Sequence, residues 1–98
     1  MVSEAFDRLV VNYQLTCPSV PTQYEGTLAD GRVFYFRYRF GSAQLGFGQT
    51  PEDAVMETLD PETPCLLIGE ELDGWLSEDE FKQAFTELVE KRAERMST

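Results

Sequence analysis

The stretch that most constrains this chain is residues 32–40, Arg-Val-Phe-Tyr-Phe-Arg-Tyr-Arg-Phe. Phe34, Phe36, Tyr38 and Phe40 recur at period two, with Val33, Tyr35, Arg37 and Arg39 between them. A helix would scatter these rings around its circumference. A strand puts all four on one side and the arginines on the other. The spacing therefore predicts a strand with one dry, ring-lined face. Asp30-Gly31 before it and Gly41-Ser42 after it are turn signals, and together they predict an antiparallel meander over about 23–48.

Register follows from keeping that face dry. A two-residue first loop would set Glu25 and Thr27 against Phe36 and Phe34. A three-residue loop, Ala29 to Gly31 closed by a left-handed glycine, instead sets Tyr24 and Gly26 beside Phe36 and Phe34, and is preferred. For the second hairpin, a two-residue Gly41-Ser42 turn pairs Phe40 with Ala43, Tyr38 with Leu45 and Phe36 with Phe47.

Around this meander, residues 8–16 alternate, with Leu9, Val11, Tyr13 and Leu15 on one side. They read as a half-buried strand, with a short helical start at 3–9 as the rival reading. Thr50-Pro51-Glu52-Asp53 caps a helix that must stop by Asp60, ahead of Pro61, with Val55, Met56 and Leu59 toward the sheet. CLLIG at 65–69 suggests a short buried strand. Ser77 and Glu80 form a capping box for a helix over about 77–96, and Leu76 can staple onto Phe81. Its stripe of Phe81, Ala84, Phe85, Leu88, Val89 and Met96 has helical spacing and one obvious partner, the rings of the meander. The expected fold is α+β: residues 1–98 form one compact domain, an antiparallel meander of three to four strands packed on one face by the C-terminal helix. A shorter helix sits at its edge.

Charge is unevenly placed. The net charge is −10, and residues 50–81 hold eleven acids and no base, so that third of the chain supplies the imbalance. A strongly acidic protein lacks the Lys and Arg that displace counterions from nucleic acid, and it is repelled by anionic lipid, so neither is an expected partner. A basic protein surface is. The candidate contact residues are Glu70, Glu71, Asp73, Trp75, Glu78 and Asp79. Carboxylates spaced like phosphates would make the same region a DNA mimic.

Residues 71–81 also copy the second half of a calcium-binding loop, with Glu71, Asp73 and Glu80 at ligand positions around Gly74. The first ligand position is Gly69 and prolines interrupt the entering helix, so a turn followed by a capped helix accounts for the same residues and no metal is expected. On the sheet, Tyr35, Arg37 and Arg39 face away from the rings, near Glu25 and between Gly46 and Gly48. Two guanidiniums beside a tyrosine suit a phosphate or carboxylate, the alternative being a solvated face with cross-strand pairs such as Glu25–Arg37.

Histidine is absent, which removes the usual general base and zinc ligand, and neither Cys17 nor Cys65 has an activating neighbour in sequence. No enzyme activity and no cofactor is expected. The cysteines read as buried thiols in a reducing cytoplasm. MVSEAFD has an early acid and no apolar run, unlike a signal peptide, and no stretch approaches the roughly 20 apolar residues of a membrane span.

The segment Tyr24-x-Gly26-Thr27-Leu28-x-Asp30-Gly31-Arg32-x-Phe34-Tyr35-Phe36-Arg37-Tyr38-Arg39-x-Gly41 resembles a hairpin recurring in small uncharacterised proteins of actinobacteria and their bacteriophages. The likeness covers about a quarter of the chain. It implies a short accessory protein, phage-encoded and acting on a host protein, and no activity carries over with it.

The sequence thus points to a cytoplasmic, non-catalytic interaction protein that binds a basic partner through its acidic 50–80 region. The alternative is a small-anion binder on the Tyr35/Arg37/Arg39 face. A free edge on the first or third strand would admit a homodimer.

Overall fold

The computed structural model describes residues 2–17, 22–39, 41–60, 63, 65–67 and 76–97. In chain order the elements are α1 (Val2–Leu9), β1 (Val10–Cys17), β2 (Thr22–Leu28), β3 (Val33–Arg39), β4 (Ser42–Gly48), α2 (Pro51–Thr58), β5 (Cys65–Leu67) and α3 (Glu78–Ser97). The five strands form one antiparallel sheet in the order β1-β2-β3-β4-β5. The fold is α+β as expected, with five strands and three helices among the described residues; beyond the expected three to four strands and two helices stand β5, in the apolar run at 65–69, and α1, in the stretch offered as a helical start. No helix among the described residues is long and apolar enough to cross a membrane.

The first hairpin takes the register that keeps its rings dry. Tyr24 lies opposite Phe36 and Gly26 opposite Phe34. Gly31 closes the loop with φ +93°, a left-handed conformation open to glycine at little cost. Its amide donates to the Leu28 carbonyl at 3.0 Å, and the Leu28 amide to the Arg32 carbonyl at 2.7 Å.

The second hairpin is corrected by two residues. Tyr38 pairs Ala43, Phe36 pairs Leu45 and Phe34 pairs Phe47, so Ser42 already belongs to the strand and Gly41, at φ +76°, lies in the turn. The expected Phe40–Ala43 pair involves a residue outside those described. Because side chains alternate with period two, a slip of two leaves every residue on its expected face. The hydrophobic pattern is blind to it.

At the N-terminus both rival readings hold in part: a helix runs to Leu9 and a strand begins at Val10. The expected inward set Leu9, Val11, Tyr13, Leu15 is corrected to Val10 and Tyr13. A bulge between Val10 and Asn12 inserts Val11 as an extra residue, changes the phase and leaves Val11 68% exposed.

Phe34, Phe36 and Tyr38 are fully covered on the side where α3 packs, with Phe81, Ala84, Phe85 and Leu88 buried against them. Phe81 is the hub. It stacks on Tyr24 with centroids 3.8 Å apart and planes 7° from parallel, and meets Phe6 and Phe36 edge-on at 5.4 and 4.9 Å. The α3 start carries the expected reciprocal box: the Ser77 amide donates to Glu80 Oε1 at 3.1 Å, and the Glu80 amide to Ser77 Oγ at 3.2 Å. Leu76 is buried in the same cluster, while the Met96 side chain lies outside the described residues.

The shorter helix departs most from expectation. Thr50 caps it as predicted, its Oγ1 accepting from the Asp53 amide at 3.2 Å. It packs on the face of the sheet over the outer half of β4, near the edge as expected, but its buried residues are Ala54 and Thr58. Met56 and Leu59, expected to face the sheet, are 65% and 63% exposed, and Val55 is half-buried. The reason lies on β4. A side chain at Gly46 would collide with the Ala54 carbonyl oxygen, and one at Gly48 would come within 2.7 Å of the Ala54 amide nitrogen. Two glycines on one face of a strand let a helix backbone approach closely, and only small residues fit between. Gly46 and Gly48 alternate with Leu45 and Phe47, which face α3, so α2 and α3 cover opposite faces of the sheet.

The CLLIG run is likewise corrected. Only residues 65–67 are described as strand, and they form an outer strand with Leu66 inward and Leu67 77% exposed.

Candidate functional site

The acidic third of the chain does not form one continuous described surface. Its α2 part, Glu52, Asp53 and Glu57, lies on the glycine face of the sheet. Its α3 part, Glu78, Asp79 and Glu80, opens the helix on the ring face. Of the predicted contact residues, Glu70, Glu71, Asp73 and Trp75 fall outside the described residues, and Glu78 and Asp79 are exposed.

Each described acid has a distinct environment. The Tyr13 hydroxyl donates to Glu78 Oε1 at 2.7 Å, and Lys82, one turn on, lies 3.5 Å from the same oxygen. The hydrogen bond from Tyr13 holds the Glu78 carboxyl below its ordinary range, with Lys82 adding to the effect, and the same bond raises the Tyr13 phenol. Glu80 is spent on the Ser77 cap. Of the three candidate calcium ligands, Glu71 and Asp73 lie outside the described residues, and among those described no three carboxylates or thiols converge on a metal-sized site.

Glu57 is used structurally. Its Oε1 accepts from the Phe47 amide at 3.3 Å and forms an ion pair with Arg92 of α3. Among the described residues β5 pairs only with 42–44, so the far half of β4 has no described strand beyond it, and the Glu57 carboxylate meets a backbone donor there. Glu52, Asp53 and Asp79 hold no ion pair among the described residues and are exposed.

Around the acids of α2 lies an apolar surface that periodicity did not reveal. Glu52, Met56 and Leu59, spaced i, i+4 and i+7, share the side opposite Ala54 and Thr58. A shallow notch of about 320 Å³ is lined by Pro51, Glu52, Val55 and Met56. Thr58 tolerates burial because its hydroxyl donates back to the Val55 carbonyl at 2.6 Å.

On the glycine face, Tyr35, Arg37 and Arg39 come together along β3 as predicted, but they are not equivalent. Tyr35 is 8% exposed, Arg37 half-buried and Arg39 exposed. The room expected beside Gly46 and Gly48 is filled by α2. Glu25 lies opposite Tyr35, while Arg37 lies between Gln23 and Gln44, and no ion pair joins Glu25 to Arg37. The Arg37 Nε is buried without a hydrogen-bond acceptor. Burial raises the Tyr35 phenol above its ordinary value against the opposing pull of Arg37. Beside this row, a cleft of about 420 Å³ opens over β1, β2 and β3, lined in part by Asn12, Gln14, Glu25, Thr27, Val33 and Pro51. Sequence reasoning missed it because the wall at Pro51 exists only once α2 is seated.

The Arg37 row also settles the cysteines. Cys17, Gln23, Arg37, Gln44 and Cys65 are successive partners across the five strands. Four steps of about 4.8 Å put about 19 Å between the ends, far beyond the reach of a disulfide. Neither thiol is in a disulfide, and the expectation of buried thiols is corrected: Cys65 is exposed and Cys17 half-buried, because each sits on an outermost strand.

Compared with protein-family models, with curated proteins and with solved structures, the chain matches none.

Proposed function

We propose that this protein is a non-catalytic interaction module that binds a basic protein surface through its acidic 50–80 region, as a phage-type accessory protein acting on a host protein would. The observation that carries the reading is the state of the acids on α2. Glu52 and Asp53 are exposed, with no ion pair among the described residues, next to exposed Met56 and Leu59, whereas Glu57 on the same helix is consumed by Arg92 and the Phe47 amide. Apolar side chains rimmed by like charge suit a partner that is apolar at its centre and cationic at its rim. A net charge of −10 speeds encounter with such a partner and makes it sensitive to salt.

Affinity capture from a cytosolic extract tests this, comparing the protein with its E52K/D53K and D79K variants. The reading expects a partner recovered at low salt, reduced by raised salt and by at least one charge reversal. Recovery unchanged by salt and by both variants contradicts it.

A second reading, a small anionic ligand on the Tyr35/Arg37/Arg39 face, is favoured by the buried Arg37 Nε that lacks an acceptor. Thermal-shift screening against nucleotides and sugar phosphates tests it, and a flat screen dismisses it.

A further inference from the structure

Amphipathic helices ordinarily seat their large apolar residues on the sheet and turn small and polar ones outward. α2 does the reverse. Ala54 and Thr58 face the glycines of β4, and Met56 and Leu59 face away. The inversion is enforced by close packing. With the Ala54 backbone against Gly46 and Gly48, the gap between helix and strand has no room for a Leu or Met side chain. Exposing Met56 on this eight-residue helix and Leu59 at its C-cap forgoes the burial that large apolar side chains ordinarily gain, so the internal packing of the fold gives no reason for them.

Resting on the proposed interaction reading, we infer that the outward face of α2, Glu52-Asp53-Met56-Leu59 with the Pro51–Val55 notch beside it, is the contact site itself. Its partner is a cationic amphipathic helix of another protein. Apolar side chains of that helix cover Met56 and Leu59 and fill the notch, while Lys or Arg on its flanks meet Glu52 and Asp53. Charge decides against a second copy of this chain. Residues 50–60 contain four acids and no base, so self-pairing here would bring like charges together.

The test is an amide chemical-shift titration of the isotope-labelled protein with two synthetic peptides of equal charge. One is a Leu/Lys amphipathic helix, the other an Ala/Lys helix. The inference expects the Leu/Lys peptide to perturb amides 51–60 foremost and to bind about tenfold or more tightly than the Ala/Lys peptide. It also expects Met56→Ser/Leu59→Ser, which alters only exposed side chains, to remove that advantage while the spectrum remains folded. Equal binding of both peptides overturns the inference and leaves the broader acidic reading standing. Binding of neither removes both. Concentration-dependent shifts at 51–60 without any peptide would identify a second copy as the occupant and likewise overturn it.

Discussion

The Glu57 carboxylate and the Arg92 guanidinium join two helices that lie on opposite faces of one sheet, closing around the part of β4 beyond which no strand lies among the described residues. Arg92 also lies 4.6 Å from the centroid of the Phe47 ring, and Arg32 lies 4.9 Å from it, so the aromatic at this open edge carries two guanidiniums. Both members of the ion pair are about three-quarters covered, which lifts it above the usual surface pair. In a double-mutant cycle of Glu57→Gln and Arg92→Gln, urea unfolding should show a coupling of about 1 kcal/mol. Additive single effects would mean that the helices are not tied at this edge.

Gly46 is the seat of α2. Replacing it with Ala drives a methyl group into the Ala54 carbonyl, and overpacking of this kind costs about 1–3 kcal/mol. The expected signature is local: faster hydrogen exchange over 51–59 together with the lower stability. Gly31→Ala is the control. Nothing lies within 4 Å of its added methyl, so its cost of about 1–2 kcal/mol comes from φ +93° alone and leaves α2 exchange unchanged. Identical exchange patterns in the two variants would refute the close approach.

Acid stability should respond to Tyr13. Its hydroxyl depresses the Glu78 carboxyl, and a carboxyl lowered in the folded state contributes stability that is present above its unfolded value, about 4.3, and lost as pH falls through the folded value. Tyr13→Phe should therefore flatten the loss of stability on acidification below about pH 4.5, and Glu78→Gln should flatten it to a similar extent. An acid limb unchanged in Tyr13→Phe would rule out the assigned cause.

Alternation made the sheet legible. Residues 33–39 fixed two faces, and the demand for a dry one selected the three-residue loop at Gly31 over its rival. What stayed hidden was whatever period two cannot carry. A slip of two in the second hairpin changes no face, and the bulge at Val11 depends on how β1 meets β2. The seat of α2 was hidden for another reason. Burying Val55, Met56 and Leu59 is the expected choice for a helix beside a sheet, and it is reversed by Gly46 and Gly48, whose effect appears only when two segments meet. For the candidate site this mattered most. The acids were visible in the sequence, but the apolar face between them became visible only after α2 was placed.

The α2 contact surface depends on the helix being seated with its small side inward. Mild peroxide oxidation followed by peptide mass spectrometry reads this directly, because a thioether reacts according to its access to solvent. Met56 should form sulfoxide in the folded protein about as fast as in urea, with the fold intact afterwards. Protection of Met56 by about tenfold or more in the folded state would mean that the helix faces the other way and that the contact surface does not exist.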